Sequence, residues 1–388
     1  MQFKPADRIS AVSEYYFSRK LKEVAQLNAE GKDIISLAIG SPDMPPSPAT
    51  IQALCENAQK ADAHGYQPTV VIPELRNAMA KLYKRWYNVD LDPAKEIQPL
   101  IGSKEGILHV TLAFCNPGDK VLVPNPGYPT YTALSKILGQ QIVNYDLLES
   151  NGWHPDFDQL EKMDLEGVKL MWTNYPNMPT GGRATRELYQ KLVDFAQRHN
   201  IIIVNDNPYS FILNKDEHLS ILQIPGAKDC CIEFNSMSKS HNMPGWRVGM
   251  VATNSTFIQW ILKIKSNIDS GTFRPLQLAA AQAYENTEEW HTQANVTTYA
   301  SRRKIAEDIM TQLGCRFDPT QQGMFLWGRI PENIQNVEDL TERVLHEARV
   351  FIAPGFIFGS NGERYIRISL CAKNEKMLEA LNRIKQMS

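Results

Sequence analysis

Several side chains in this sequence stand where they could bind an anion and do acid–base work. Ser236-Met237-Ser238-Lys239 follows a short apolar run at 231–234, and Arg247 comes eight residues after the lysine. Two hydroxyls, an ammonium and a guanidinium leaving one strand end suit a phosphate, because arginine offers a forked set of donors. Alone, Ser-x-Ser-Lys is a weak motif, and most such lysines are solvated surface charges. Upstream, Ile201-Ile202-Ile203-Val204 runs into Asn205-Asp206-Asn207-Pro208-Tyr209. A carboxylate at the end of a buried strand is unfavourable without a partner. Asp206 is therefore either a turn or capping residue or the partner of a buried cation. A third apolar run, 97–101, ends in Gly102-Ser103-Lys104 and opens a helical pattern. A glycine turn at a helix start leaves N–H groups for a phosphate, although an ordinary strand-to-helix turn has the same sequence appearance.

These groups need a frame that brings strand ends together. Strand patterns at 34–39, 97–101, 120–123, 169–173, 201–204, 231–234 and 248–252 alternate with helical patterns such as 73–87, 104–115 and 186–199. The runs 120–123 and 201–204 are apolar almost throughout, as strands covered on both faces should be. Strand–helix alternation predicts an α/β fold with a mainly parallel, doubly wound sheet, in which ligands bind beyond the carboxyl ends of the strands. After Arg274 the texture changes: a long helical stretch over 276–313 precedes strands near 323–329 and 365–370 and helices near 337–348 and 373–386. The expected organisation is an N-terminal segment, 1–33, packed with a smaller α+β domain, 276–388, and a large ligand-binding domain, 34–275.

The chain has 388 residues, 43 % apolar and 22 % charged, and a formal net charge of −2. Nothing in that balance favours nucleic acid or an anionic membrane as a partner. The N-terminus lacks a signal-like apolar region and no stretch is long enough to span a bilayer. Six scattered cysteines without a CxxC pair are expected as free thiols in a reducing cytoplasm, and no metal site is expected.

Taken in order, Asp206-x-x-Tyr209, Ser236-x-Ser238-Lys239, Arg247 and the Arg367 of Tyr365-Ile366-Arg367-Ile368-Ser369 resemble the class I/II aminotransferases among the fold type I pyridoxal 5′-phosphate (PLP) enzymes. The similarity runs from Leu37-Ala38-Ile39-Gly40-Ser41-Pro42-Asp43 through Pro354-Gly355 and Phe358-Gly359 to Arg367. It implies that Lys239 carries PLP as a Schiff base and later moves the substrate Cα proton. Burial and nearby cations can lower a lysine pKa enough for both tasks. It implies further that Asp206 pairs with the pyridinium nitrogen, keeping the ring an electron sink, and that Tyr209 bonds the ring's phenolic oxygen. Tyr128, in Asn125-Pro126-Gly127-Tyr128-Pro129, matches the ring-stacking position. The phosphate is expected at the Ser103 and Lys104 amides, the Ser236 and Ser238 hydroxyls and Arg247. Arg367 is expected on the substrate α-carboxylate, with the Gly40 backbone beside it. Tyr66, in Gly65-Tyr66-Gln67-Pro68, matches a tyrosine that reaches the neighbouring subunit's phosphate, which implies a homodimer with shared active sites.

The sequence departs from that family twice. Met178 stands where an asparagine that donates to the phenolic oxygen belongs, and a thioether cannot donate. Asn177 or Asn174 would have to substitute from a shifted position, or Tyr209 makes the contact alone or with water. Val71 stands where a glycine is common before Ile72-Pro73-Glu74-Leu75-Arg76. Arg274 is a candidate for a substrate's distal carboxylate or for an inter-subunit structural role, and Tyr15, Tyr16 and Phe17 for an apolar side-chain pocket or plain packing. The function expected is amino-group transfer from an α-amino acid to an α-keto acid, 2-oxoglutarate, by a ping-pong mechanism. A PLP-dependent β-lyase on a sulfur-containing amino acid uses the same residues, and a non-catalytic PLP-binding or scaffold protein is the alternative of another class, against which the intact Lys239 argues.

Overall fold

A computed structural model describes residues 3–12, 16–290, 294 and 297–387. Tyr15 and part of the 276–313 stretch lie outside these residues. A short strand, β1 (Ile35–Ser36), precedes seven that form one sheet: β2 (Ile97–Leu100), β3 (Lys120–Asn125), β4 (Gln141–Asp146), β5 (Val168–Asn174), β6 (Ile202–Asp206), β7 (Cys231–Ser236) and β8 (Gly249–Ala252). Their spatial order is β2-β8-β7-β6-β5-β3-β4, with β8 antiparallel to both neighbours and the other pairings parallel.

Successive side chains of a strand face opposite sides, and both sides of this sheet are covered. Val121, Val123, Leu170, Trp172, Val204, Ile232 and Phe234 pack on one side, with Ile107 and Val110 of the helix Ser103–Phe114. Leu122, Met171, Ile203 and Cys231 pack on the other, with Leu188, Leu192 and Phe195 of the helix Arg186–His199. That double burial is why the strands read as continuous apolar runs.

The chain runs from β3 outward to β4, then crosses back to β5 and continues through β6 to β7. The direction of winding therefore reverses between β3 and β5, and the carboxyl ends of β3, β5, β6 and β7 open onto one crevice.

A second sheet, antiparallel and in the order β12-β13-β10-β9, contains β9 (Arg316–Phe317), β10 (Phe325–Arg329), β12 (Ala353–Pro354) and β13 (Tyr365–Ser369). Between them in sequence, β11 (Val350–Phe351) pairs in parallel with β1. The helix Tyr16–Ala29 docks on this side of the molecule, through Phe17 against Phe351 and a Lys20–Glu342 ion pair of 2.5 Å. Within the 276–313 stretch the helix Arg274–Glu285 ends at Asn286, and the helices Thr287–Trp290 and Ala300–Gln312 follow. The first packs on Pro48–Ala58 and Pro73–Tyr87 beside the large sheet, and the last packs on Asn374–Lys385.

Candidate active site

At the crevice, each strand end delivers a polar group. The chain leaves β2 through Gly102, whose φ of +77° favours a residue without Cβ, and the helix Ser103–Phe114 begins there with no side-chain cap on its first amides. A Cβ at Gly102 would overlap the Arg247 guanidinium, so the glycine is what lets that cation sit against the turn. Arg247 donates to Ser238 Oγ at 3.4 Å and to the Pro244 carbonyl at 2.9 Å. Ser236 Oγ accepts the Ser238 amide at 3.2 Å. Free first-turn amides, two serines and a guanidinium thus surround one point, a donor set suited to a phosphate dianion.

Asp206 ends β6 and is 5 % exposed. Tyr131 donates to its Oδ2 at 3.1 Å, while Oδ1 is buried with no partner among the described residues. Burial pushes the Asp206 carboxyl up to about 7, with the buried Glu233 carboxylate adding to the rise and Tyr131 and Lys239 opposing it. A buried carboxylate with one oxygen unmatched fits a cationic N–H placed opposite it.

Lys239 leaves the end of β7 through the short helix Met237–Ser240. Its Nζ donates to the Gly40 carbonyl. Burial lowers its pKa, and Arg367 and Arg247 lower it further against the pull of Cys371 and Asp206. An amine in that setting loses its proton more readily than a surface lysine.

Arg367, on β13, is 5 % exposed and lies between two rings, 3.9 Å from the Phe325 centroid and 4.4 Å from that of Phe358. It donates to the Ala38 carbonyl at 2.8 Å and to Met178 Sδ at 3.3 Å. The rings fix the plane of the guanidinium, as stacking on aromatic faces does.

One cavity of about 580 Å³ joins these groups. Gly40, Ser103, Lys104, Tyr128, Asp206, Tyr209, Ser236, Ser238, Lys239, Arg247 and Arg367 all line it. Asn177, Arg274 and Tyr66 do not. Asn177 is used up in its own loop: it donates to the Asn174 carbonyl at 3.1 Å and accepts from the Thr180 hydroxyl at 2.7 Å. Arg274 is paired with Asp62 at 3.2 Å. Tyr66 is 97 % exposed, outside this chain's own cavity.

Phe17 lines the cavity, whereas Tyr16 packs edge-on against Phe356. Met178 lines it beside Asn174, whose carboxamide donates to the Asp206 carbonyl at 2.6 Å and accepts the Met178 amide at 2.7 Å. Val71 adopts a φ of +69° while 5 % exposed, an unfavourable conformation for a β-branched residue at a place where glycine would be unstrained. Tyr131, Phe325, Phe358 and Leu21 also line the site and were not expected there. Only Tyr131 carried a sequence cue, its place three residues past Tyr128, which precedes the helix Pro129–Ile137 and whose ring it meets edge-on at 5.5 Å between centroids.

The sequence model of the family described as aminotransferase class I and II matches residues 32–384. The chain belongs to the class I and II aminotransferases. Among relatives of this aminotransferase, an LL-diaminopimelate aminotransferase of Oleidesulfovibrio alaskensis is 39 % identical over the whole of both chains. Another, of Aquifex aeolicus, is 39 % identical over 99 % of each. A substrate-bound BacF structure from Bacillus subtilis superposes with a TM-score of 0.91 at 34 % identity, covering 100 % of this chain and 98 % of that one. A Thermus thermophilus aspartate aminotransferase mutant, at 23 % identity, shares the fold over all of both chains with a TM-score of 0.92. The enzyme is PLP-dependent, and the unmatched Asp206 oxygen and the glycine-lined anion cradle fit that cofactor. Among the described residues no helix is long and apolar enough to cross a membrane.

Proposed function

We propose that this aminotransferase moves the amino group of an α-amino acid to an α-keto acid, 2-oxoglutarate, by a ping-pong mechanism at Lys239. The observation that carries the reading is that Lys239, Asp206 and Arg367 open into a single cavity, with Lys239 and Arg367 contacting carbonyls two residues apart, Gly40 and Ala38. PLP, when bound, supplies an electron sink for the carbanion left at the substrate Cα.

In this reading Asp206 Oδ1 accepts from the ring nitrogen, and Tyr131 holds the other oxygen so that the carboxylate stays aimed. The Gly102–Lys104 turn, Ser236, Ser238 and Arg247 bind the phosphate. Tyr128 lies against the ring. Tyr209 serves the phenolic oxygen, since Asn177 and Asn174 donate to backbone carbonyls and Met178 cannot donate. Lys239 would hold the cofactor through its aldehyde carbon and would take up and return the proton at the substrate Cα. Arg367 holds the α-carboxylate with its fork, next to Gly40, where a Cβ would strike the Phe325 ring.

The protein acts as a homodimer with shared active sites, cytoplasmic in location. Support for the dimer is the fully presented Tyr66 ring, 97 % exposed, with Phe273 and Ile268 also exposed on a segment that the Gln67–Gly271 backbone bridge brings beside it. Support for a reducing compartment is that all six cysteines are free.

The test is a panel of amino donors against 2-oxoglutarate, pyruvate and oxaloacetate, beginning with LL-diaminopimelate, the compound in the names of the curated relatives. Parallel double-reciprocal lines and one keto acid formed per amino acid consumed are expected. Pyruvate and ammonia released from a sulfur-containing amino acid without any acceptor would replace this reading by a β-lyase.

A further inference from the structure

Behind the phosphate turn lies a charged cluster that the reaction chemistry does not use. Lys265, at the end of the helix Ser255–Lys265, is 2 % exposed, and its ammonium meets Glu105 at 2.5 Å and Asp269 at 2.7 Å. The fully buried His109 meets the same Glu105 oxygen at 2.5 Å. The other oxygen of Glu105 accepts the backbone amide of Ile101, the residue just before Gly102.

Glu105 is the third residue of the helix that starts at Ser103. A glutamate there commonly reaches back to an upstream amide while a serine or threonine cap takes up the first-turn amides. Here the cap is Gly102, which has no side chain to take them. Glu105 therefore fastens the turn from behind and leaves the front amides for the anion. The opposite wall of the turn is backbone: a Cβ at Gly249 would lie 2.8 Å from the Ser103 amide nitrogen. An extra carboxylate this near a phosphate dianion would repel it. Lys265, shared between Glu105 and Asp269, offsets part of that charge without entering the cavity.

We propose that Glu105 is a positioning residue for the cofactor phosphate, holding the Ile101–Lys104 turn in register with Lys265 and His109 as its charge and hydrogen-bond partners. The proposal rests on the reading that the phosphate binds at Gly102–Lys104.

The test compares full-length apoprotein, parent and variants, titrated with PLP and with unphosphorylated pyridoxal, followed by the absorption of the lysine-bound chromophore. Glu105→Gln should weaken PLP binding about tenfold, the loss of roughly one charge-assisted bond's worth of positioning, and leave pyridoxal binding within about twofold. A merely structural role would weaken both ligands alike, and that result overturns the proposal, as does parent-like PLP affinity. Should Glu105→Gln not fold, Glu105→Asp carries the same expectation, because it keeps the charge for Lys265 and loses the reach to Ile101. Arg247→Gln is run beside them. If it loses PLP selectively and the Glu105 variants do not, the phosphate placement stands and the role of Glu105 falls. If none of the variants discriminates between the two ligands, the phosphate placement falls with it.

Discussion

Replacing Asp206 by asparagine should stabilise the cofactor-free protein above neutral pH while weakening its hold on PLP. The carboxyl is fully buried and pushed from 3.8 to about 7, chiefly by burial. Because the folded-state pKa is raised, the folded protein holds this proton more tightly than the unfolded chain. The contribution to stability is then complete below about pH 4 and lost as pH rises through about 7. At 1.36 kcal/mol per pH unit, the full loss is about 4 kcal/mol, and about 3 kcal/mol of it falls between pH 5 and pH 8. Asparagine carries no charge to desolvate and keeps an oxygen for the Tyr131 hydroxyl. Denaturant unfolding of parent and Asp206→Asn apoprotein at pH 5 and pH 8 measures the difference directly. The gap should move by about 3 kcal/mol in favour of the variant across that interval, and saturating PLP should reverse it by stabilising the parent more. A gap that stays constant with pH would refute the argument, since it would mean that the Asp206 carboxyl has the same pKa in the folded apoprotein as in the unfolded chain.

Arg367→Lys removes both the fork and the stack between Phe325 and Phe358, so the KM for amino and keto substrates should rise about 10- to 100-fold with a smaller change in kcat; steady-state kinetics with KM within twofold of the parent would count against a carboxylate role. Gly102→Ala places a methyl group on the Arg247 guanidinium in a left-handed backbone, so the variant should lose PLP on dialysis and melt lower, by at least about 1 kcal/mol. Val71→Gly relieves a positive φ and gives up a buried side chain. The two effects, each roughly 1–2 kcal/mol, should nearly cancel, and a loss above about 3 kcal/mol in chemical denaturation would show the strain to be negligible.

How much was legible follows from which physical signals sequences carry. Strands β3, β5, β6 and β7 are covered on both faces and announced themselves as apolar runs. β4 is an edge strand in which only Tyr145 is buried, so Gln141–Asp146 offered no such run. The helical pattern after Arg274 gives no sign of the interruption at Asn286, and two-residue strands such as Ala353–Pro354 are too short to have a period at all. The residues that gather at the cavity were legible where charge had to be explained, as at Asp206, Lys239, Arg247 and Arg367. The aromatic walls were not, because Phe325 and Phe358 are in composition ordinary core residues until the fold brings an arginine between them. Asn177 shows the converse: a polar residue beside the expected position, yet its carboxamide closes the local turn with Asn174 and Thr180.

Met178 links the departure from the family pattern to the substrate site. Its sulfur accepts from Arg367 Nη1 at 3.3 Å, and a thioether is a weak acceptor. In the proposed reading, a substrate carboxylate arriving at the fork therefore displaces little. An asparagine at this position would present a carbonyl oxygen to the same donor, a stronger competitor by about 0.5–1.5 kcal/mol. Met178→Asn should accordingly raise the KM for the amino donor about two- to tenfold. At the same time it would offer an N–H toward the ring's phenolic oxygen and shift the visible absorption of the resting enzyme. Steady-state kinetics and a pH titration of that absorption read the two effects separately. A variant whose spectrum shifts while KM falls would mean that the sulfur is an obstacle to the carboxylate, and that Arg367 is held for it without the sulfur, by contacts that include the Phe325–Phe358 stack and the Ala38 carbonyl.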